Sequence, residues 1–257
     1  RLMQISWAAR TDPGLRRRQN EDSFCANPDL GLFVVADGMG GHAGGEIASE
    51  LAVTEIQTVI ESTTTLGARD TWPVPFDANV GVDGNRLRAG FSMANSSIAQ
   101  RIEKTEDLRG MATTAVAVLV RSGKAALAHV GDSRAYLWRS GQLTRLTVDH
   151  SWVEEQVQAG MLTEAAAREH PWRNIVTRAL SGTEGLKIDV TELELEAGDR
   201  LLLCSDGLPT VIQDSEIGTV VSPPSNLQGV CDELVSRANA GGGPDNVTAV
   251  VVGVAAV

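Results

Sequence analysis

The sequence predicts an α+β fold: a β-sandwich of two antiparallel sheets flanked by pairs of α-helices, with one flap insertion. Strand-like segments are frequent, and tight turn signals between several of them favour antiparallel hairpins over helical crossovers. Long amphipathic helices interrupt the strands in pairs, so the economical four-layer arrangement places helices outside both sheets. Because strands and helices do not alternate, a doubly wound parallel sheet fits the pattern less well.

The predicted strands are apolar or alternating runs bounded by glycine, proline and polar residues. They cover residues 4–9, 22–26, 32–36, 113–120, 125–130, 135–138, 188–195, 200–204 and 247–254. Turn signals at 11–14, 121–124 and 139–142 each predict a hairpin between the strands that they join.

Amphipathic segments predict the helices. Residues 46–61 and 86–103 have broad apolar faces, and a further amphipathic helix is expected around 227–238. Residues 62–85 are rich in Thr, Gly, Pro and Asp and predict a loop between the first two helices.

One segment breaks the strand rhythm. Residues 147–183 contain short helical patches at 151–159 and 163–168, between two groups of strands. We interpret this segment as a flap that covers another part of the molecule. The whole chain, residues 1–257, is then expected to form one domain that carries the flap.

Composition excludes several classes of function. The chain has 257 residues and a formal net charge of −11, which argues against nucleic acid or an anionic membrane as the main partner. Cys25, Cys204 and Cys231 form no C-x-x-C pair, so we expect reduced, buried thiols. The apolar run at 247–257 is too short to span a bilayer, and no signal peptide is recognised, which predicts a cytoplasmic protein without a membrane segment.

Carboxylates stand beside glycine, proline or asparagine at the ends of several predicted strands. Asp37 and Asp206 each follow an apolar run, Asp245 directly precedes the last strand, and Asp132 lies in a turn. A lone Asp-Gly pair is best interpreted as a turn. Several carboxylates that converge without cations would repel one another, so the pattern predicts a divalent metal site. The Gly38 carbonyl, which no side chain crowds, is a further candidate ligand.

Arg17 is the basic counterpart of these carboxylates, four residues before Glu21. A guanidinium offers a planar fork suited to phosphate, although a solvated run of three arginines is the alternative interpretation. The histidines at positions 42, 129, 150 and 170 show no ligand spacing. His129 is expected in the core, and His42, in a glycine-rich loop, is the histidine to test.

Taken in order, the motifs of this chain are similar to those of one family over nearly its whole length. The chain resembles the bacterial branch of the metal-dependent serine/threonine protein phosphatases of type 2C, the PPM family. The resemblance is carried by Arg17-x-x-Asn20-Glu21-Asp22, Ala36-Asp37-Gly38-Met39-Gly40-Gly41-His42, Gly110-Met111-Ala112-Thr113-Thr114, Gly131-Asp132-Ser133-Arg134-Ala135-Tyr136-Leu137, Asp149-His150-Ser151, Thr177-Arg178-Ala179-Leu180, Cys204-Ser205-Asp206-Gly207-Leu208 and Gly242-Gly243-Pro244-Asp245-Asn246-Val247-Thr248.

The resemblance implies a metal centre of two Mn²⁺ or Mg²⁺ ions at one end of the sandwich. Asp37 would bridge the two ions, and Asp206 and Asp245 would bind the first. Glu21 and the Gly38 carbonyl would serve the second ion, partly through water.

The remaining implied roles concern a third ion and the substrate. Asp132, with Asp206, matches a third and weaker metal site. Asp22 would orient the attacking water, and Arg17 would hold the substrate phosphate. Animal relatives have a histidine two residues after the bridging aspartate as the proposed general acid, where this chain has Met39. Protonation of the leaving group must then come from water on one of the ions or from another residue.

The implied activity is hydrolysis of phosphoserine and phosphothreonine in proteins, in opposition to bacterial eukaryotic-like kinases. Its partners would be phosphorylated proteins, including such a kinase and its substrates, and we expect a monomer. Two alternatives stay open: a phosphatase of a partner-switching circuit that acts on an anti-sigma antagonist, and a catalytically silent phosphoprotein-binding relative. Joint retention of Glu21, Asp37, Asp206 and Asp245 argues against the silent relative.

Overall fold

Residues 3–41 and 44–256 are described by the computed structural model, and the strands in this part of the chain form two antiparallel sheets. In chain order the strands are β1 (Met3–Asp12), β2 (Asp22–Asn27), β3 (Leu32–Met39), β4 (Ala112–Thr113), β5 (Ala115–Arg121), β6 (Lys124–Val130), β7 (Arg134–Arg139), β8 (Gln142–Arg145), β9 (Asp189–Glu194), β10 (Arg200–Cys204) and β11 (Val247–Ala256). One sheet has the order β1-β11-β10-β7-β8. The other has the order β2-β3-β5-β6-β9, and β4 pairs with the end of β3.

Helices cover the outer face of each sheet. The helices are α1 (Gly44–Ser62), α2 (Val82–Lys104), α3 (Trp152–Gln158), α4 (Glu164–Glu169), α5 (Asp214–Val221) and α6 (Leu227–Ala240). Helices α1 and α2 pack on the sheet that contains β3, while α5 and α6 pack on the sheet that contains β11. The predicted sandwich with flanking helix pairs is therefore confirmed.

Strand β3 shows how one sequence run serves two core layers. Its side chains point alternately to opposite faces of the sheet because successive residues of a strand do so. Phe33 and Val35 enter the layer between the two sheets, while Leu32, Val34 and Ala36 pack beneath α1 and α2. All five side chains are fully buried. A strand covered on both faces reads as a continuous apolar run rather than an alternating one.

Two of the predicted hairpins are confirmed and one is wrong. The turns at 121–124 and 139–142 join the paired strands β5–β6 and β7–β8. The turn at 11–14 joins no hairpin, because β1 pairs with β11 while β2 pairs with β3 in the other sheet. This link carries the chain from one sheet to the other, a connection that local turn chemistry does not distinguish from a hairpin.

Several element boundaries also differ from the prediction. Strand β3 continues to Met39 because Gly38 and Met39 pair with β4, so Asp37 lies inside the strand rather than after it. Strand β8 and helix α5 were not predicted, since both are short and β8 is mostly polar. The three cysteines are free and buried, as expected. Among the described residues, every helix is too short or too polar to cross a membrane.

The layer between the sheets supports a stability prediction. Phe33→Ala removes a fully buried ring from that layer, and we expect it to lower the free energy of unfolding by about 3–5 kcal/mol. Urea unfolding followed by circular dichroism measures the change. Thr191→Ala, on the exposed face of β9, is the matched strand control and should stay within about 0.5 kcal/mol. Equal losses in the two variants would contradict the assigned layering.

Candidate metal centre

Carboxylates from both sheets meet at one end of the sandwich. Asp22 opens β2 and stands directly opposite Asp37 of β3 in the antiparallel register. Asp206 follows β10 and Asp245 precedes β11, so the other sheet supplies these two. The Asp37 carboxylate experiences the charges of Asp22, Asp206, Asp132 and Asp245. The structure thus brings the predicted acidic residues together.

The pKa values of these carboxyl groups are raised. Burial is the main cause, and it raises the pKa of Asp22 to about 7 and that of Asp206 to about 6. Burial, followed by the negative charge of neighbouring aspartates, raises the pKa of Asp37 well above its usual range. The pKa of Asp132 is raised in the same way. Like charges placed in direct cross-strand opposition destabilise a sheet unless a cation offsets them.

One carboxylate oxygen of Asp22 accepts hydrogen bonds from the protein and the other accepts none within the described residues. Its Oδ2 accepts hydrogen bonds from Ser205 Oγ at 2.7 Å and Thr248 Oγ1 at 2.6 Å. Its Oδ1 is buried and has no protein partner within the described residues, and the same holds for Oδ1 of Asp206. Unpartnered buried carboxylate oxygens are costly. An all-oxygen donor set with free buried oxygens fits a hard divalent cation such as Mn²⁺ or Mg²⁺.

Glu21 and Gly38 lie against each other beside Asp37. The Gly38 amide donates to the Glu21 carbonyl at 3.1 Å, and Ser49 Oγ donates to the same carbonyl at 2.6 Å. A Cβ on Gly38 would lie 2.0 Å from the Gly45 carbonyl oxygen, so only glycine fits there. Burial raises the pKa of the Glu21 carboxyl group. Both residues could therefore contribute oxygen ligands at this edge of the cluster.

Arg17 lies at the rim of the cluster, where its Nη2 donates to Asp245 Oδ2 at 2.7 Å. Its side chain is 52% exposed, and the hydrogen bond to Asp245 raises its pKa. Arg16 and Arg18 are exposed. The contact with Asp245 singles out Arg17 from the solvated arginine run that was the alternative interpretation.

Asn246 is a residue of this site that the sequence reasoning missed. Its Oδ1 accepts from the Glu21 amide at 2.8 Å, and its Nδ2 donates to the carbonyls of Pro13 and Gln19, each at 2.9 Å. One side chain thus holds the loop that presents Arg17 and Glu21. The only sequence signal for this role was that Asn246 directly follows the candidate ligand Asp245. The hydroxyls of Ser205 and Thr248 were missed too, because no spacing rule marks a hydroxyl that buttresses a carboxylate.

Asp132 lies between the cluster and the flap. It is 8% exposed, in the turn between β6 and β7. A cavity of about 270 Å³ extends from Asp132 and Asp206 to the flap, where Arg168 and Arg173 line it. The predicted flap therefore covers space next to the acidic cluster.

The histidines require one correction. The structure brings His129 and His150 together with Asp189, with their ligand atoms within 4.8 Å of one another, although the sequence showed no ligand spacing. The reason is topological, since β6, the start of the flap and β9 are adjacent in space but distant in sequence. His129 is buried in the core, as expected. His42, the histidine singled out for testing, lies outside the described residues.

A model of the protein phosphatase 2C family matches residues 16–240. This chain belongs to that family. It is 40% identical over 250 residues to the serine/threonine protein phosphatase PstP of Mycobacterium tuberculosis. The aligned region covers 97% of this chain but only 45% of PstP. It is 36% identical over 250 residues to the serine/threonine phosphatase stp of Listeria welshimeri, with 95% of this chain and 93% of that protein covered.

Solved structures agree with the family assignment. The crystal structure of the M. tuberculosis phosphatase PstP/Ppp has a TM-score of 0.87 and 39% identity to this chain, with 99% of this chain and 100% of that chain covered. The catalytic domain of PstP in complex with two manganese ions has a TM-score of 0.82 and 37% identity, with the same coverage. Fold and family are therefore shown.

The raised pKa values predict how stability depends on pH in the metal-free protein. Asp22 and Asp206 have folded pKa values of about 7 and about 6, above the ordinary 3.8. Over that range the folded state binds more protons than the unfolded state, so stability falls as pH rises. Urea unfolding in chelator should give a free energy of unfolding lower by roughly 3 kcal/mol at about pH 8 than at about pH 5.5.

The control for this prediction is Asp206→Asn, which removes one of the carboxyl groups with a raised pKa and should flatten the pH dependence. Equal or greater stability of the metal-free protein at the higher pH would contradict the buried, mutually repelling arrangement.

Proposed function

We propose that this chain is a metal-dependent protein phosphatase that hydrolyses phosphoserine and phosphothreonine in proteins. The observation that carries the proposal is the convergence of buried carboxylates from both sheets beside Arg17. Membership of the protein phosphatase 2C family and the names of its relatives support it. The chain spans less than half of PstP, so the proposal concerns the activity of residues 1–257 as one catalytic domain.

The metal ligands in this proposal are all oxygen donors. We assign Asp37 as the bridge between two ions, Asp206 and Asp245 to the first, and Glu21 with the Gly38 carbonyl to the second. Asp132 with Asp206 would hold a third, weaker ion. The free, buried Oδ1 of Asp206 and the raised pKa values of Asp37 and Asp132 support this set. The two manganese ions of the PstP catalytic domain support the count for the main centre.

When bound, ions of this kind activate a water and offset negative charge on the phosphoryl oxygens. Asp22 orients the attacking water, since Ser205 and Thr248 hold its Oδ2 and leave Oδ1 to accept a hydrogen. Fixing this carboxylate from two sides keeps the water in line with the phosphorus, which lowers the entropic cost of attack. Met39 has no proton to give and takes no part in protonating the leaving group.

Arg17 binds the substrate phosphate in this proposal. A guanidinium has five N–H donors in a rigid fork, and the hydrogen bond to Asp245 uses one of them. The remaining donors point from a half-exposed side chain and are available to phosphoryl oxygens. The same contact with Asp245 fixes Arg17 next to the proposed first ion, so the phosphate can contact both.

We propose that the substrates are proteins phosphorylated by Ser/Thr kinases, and that such a kinase is among the partners. The chain supplies every assigned site residue itself, which supports the predicted monomer. The three free cysteines are compatible with the cytoplasmic location, which stays a prediction. The alternative of a catalytically silent phosphoprotein-binding relative is disfavoured, because a binding module does not need four buried carboxyl groups with raised pKa values.

Manganese-dependent hydrolysis of p-nitrophenyl phosphate and of a phosphothreonine peptide tests the function. We expect Asp206→Asn to lower kcat at least about 100-fold with both substrates, because it removes a ligand of the proposed centre. Asp232→Asn, a half-exposed aspartate paired with Arg10, is the matched control and should keep activity within about 2-fold. Purified wild-type protein without activity in excess Mn²⁺ would refute the function.

Arg17→Lys tests the phosphate contact. Lysine keeps the charge but loses the fork, so we expect KM for the phosphothreonine peptide to rise about 10-fold with a smaller change in kcat. Arg16→Lys changes the exposed neighbour in the same way and should leave both constants within about 2-fold. An equal effect of the two substitutions would mean that Arg17 acts only through the general charge of the loop.

A further inference from the structure

His129, His150 and Asp189 form a cluster outside the acidic site, with their ligand atoms within 4.8 Å of one another and the two imidazole rings stacked at 4.6 Å. These residue types suit a metal ion, but two contacts oppose one. The Gly131 amide donates to His150 Nδ1 at 3.0 Å, so the neutral ring carries its proton on Nε2 and has no lone pair left there. Arg178 Nη1 lies 3.0 Å from Nε2, a permanent positive charge beside any cation.

The cluster instead holds the residue that precedes Asp132. Gly131 donates its amide hydrogen to His150 Nδ1, and its carbonyl accepts from the His150 amide at 2.9 Å. Gly131 has φ of +107°, and a Cβ there would lie 2.5 Å from Thr114 Cβ, so only glycine fits in this turn. Burial lowers the pKa of His150, which favours the neutral ring with one acceptor nitrogen.

The neighbour of His150 holds the other side of the same turn. Asp149 accepts from Arg134 in a bidentate pair, Nε to Oδ1 at 2.9 Å and Nη2 to Oδ2 at 2.6 Å. Both side chains are largely buried, so this pair is weakly screened by solvent. His150 therefore contacts Gly131, directly before Asp132, and Asp149 contacts Arg134, two residues after it.

The same histidine is also bonded to the end of the flap. Its carbonyl accepts from the Thr177 amide at 2.9 Å, and its Nε2 donates to Asp189 Oδ2 at 3.2 Å. Asp189 Oδ1 in turn accepts from Arg178 at 2.7 Å. One imidazole thus contacts the Asp132 turn through Nδ1 and the Asp189–Arg178 pair through Nε2.

We propose that His150 is a positioning residue: its Nδ1 fixes the Gly131–Ser133 turn, and so the Asp132 carboxylate, while its Nε2 fastens the flap to the same point. The inference rests on the proposed phosphatase function. Loss of the Nδ1 acceptor frees the turn and displaces Asp132, which weakens the third metal site. Loss of the Nε2 contact loosens the flap but leaves Asp132 in place.

Two isosteric substitutions separate these contacts. In His150→Asn the side-chain Oδ1 can replace Nδ1 as the acceptor for the Gly131 amide, while the contact with Asp189 is lost. In His150→Gln the side-chain amide can replace Nε2 as the donor to Asp189, while the contact with Gly131 is lost. We expect His150→Gln to lower kcat for p-nitrophenyl phosphate at least about 10-fold and to raise the Mn²⁺ concentration for half-maximal activity. His150→Asn should keep kcat within about 3-fold. His129→Gln, at the stacked partner, is the matched control and should behave as wild type.

A second readout does not depend on activity. In metal-free protein, amide exchange of Gly131 followed by NMR should be at least about 10-fold faster in His150→Gln than in wild type, and unchanged in His150→Asn. Equal kinetics and equal exchange in the two variants would overturn the inference. If His150→Gln does not fold, His150→Asn decides: wild-type exchange with retained kcat supports the inference, and loss of either overturns it. Inactive wild-type protein refutes the phosphatase proposal, while the exchange experiment still decides the role of His150.

Discussion

The mutual repulsion of buried carboxylates is the constraint on which the rest of this structure depends. Asp22 and Asp37 face each other across one pair of strands, and Asp206 and Asp245 approach from the other sheet. The charges of Asp22, Asp206 and Asp245 raise the pKa of Asp37, so without compensation the cluster would push the two sheets apart at this end. The apolar layer between the sheets opposes that force, because both sheets contribute buried side chains to it.

Hydrogen bonds between the two sheets also hold them together at this end. Ser205 and Thr248 come from the sheet of β10 and β11, yet both donate to Asp22 of β2. Asn246 similarly joins the start of β11 to the loop before β2. The site is therefore a set of cross-links between the sheets. Its geometry follows from the sandwich, and the sandwich is closed at this end by the side chains that shape the site.

The sequence allowed the sandwich, most strands and the acidic residues to be predicted, because apolar runs and acidic turns leave local signals. What it did not reveal depends on contacts between distant segments. Asp37 was placed after its strand because the pairing of β3 with the two-residue β4 has no signature of its own. The His129, His150 and Asp189 cluster was invisible for the same reason, since each residue belongs to a different segment. Motif order supplied the ligand roles, which local patterns alone left open.

The flap shows how an insertion can be coupled to the acidic cluster through contacts at its two ends. At one end His150 is bonded to Gly131, directly before Asp132. At the other end Leu180 pairs with Thr113, whose hydroxyl donates to the Asp37 carbonyl at 2.9 Å. Both anchors act on backbone that carries a carboxylate of the cluster. Helices α3 and α4, between the anchors, bury little and carry few contacts of this kind. The two ends of the flap therefore hold the backbone at Asp132, through Gly131, and at Asp37, through Thr113, while α3 and α4 lie between these contacts.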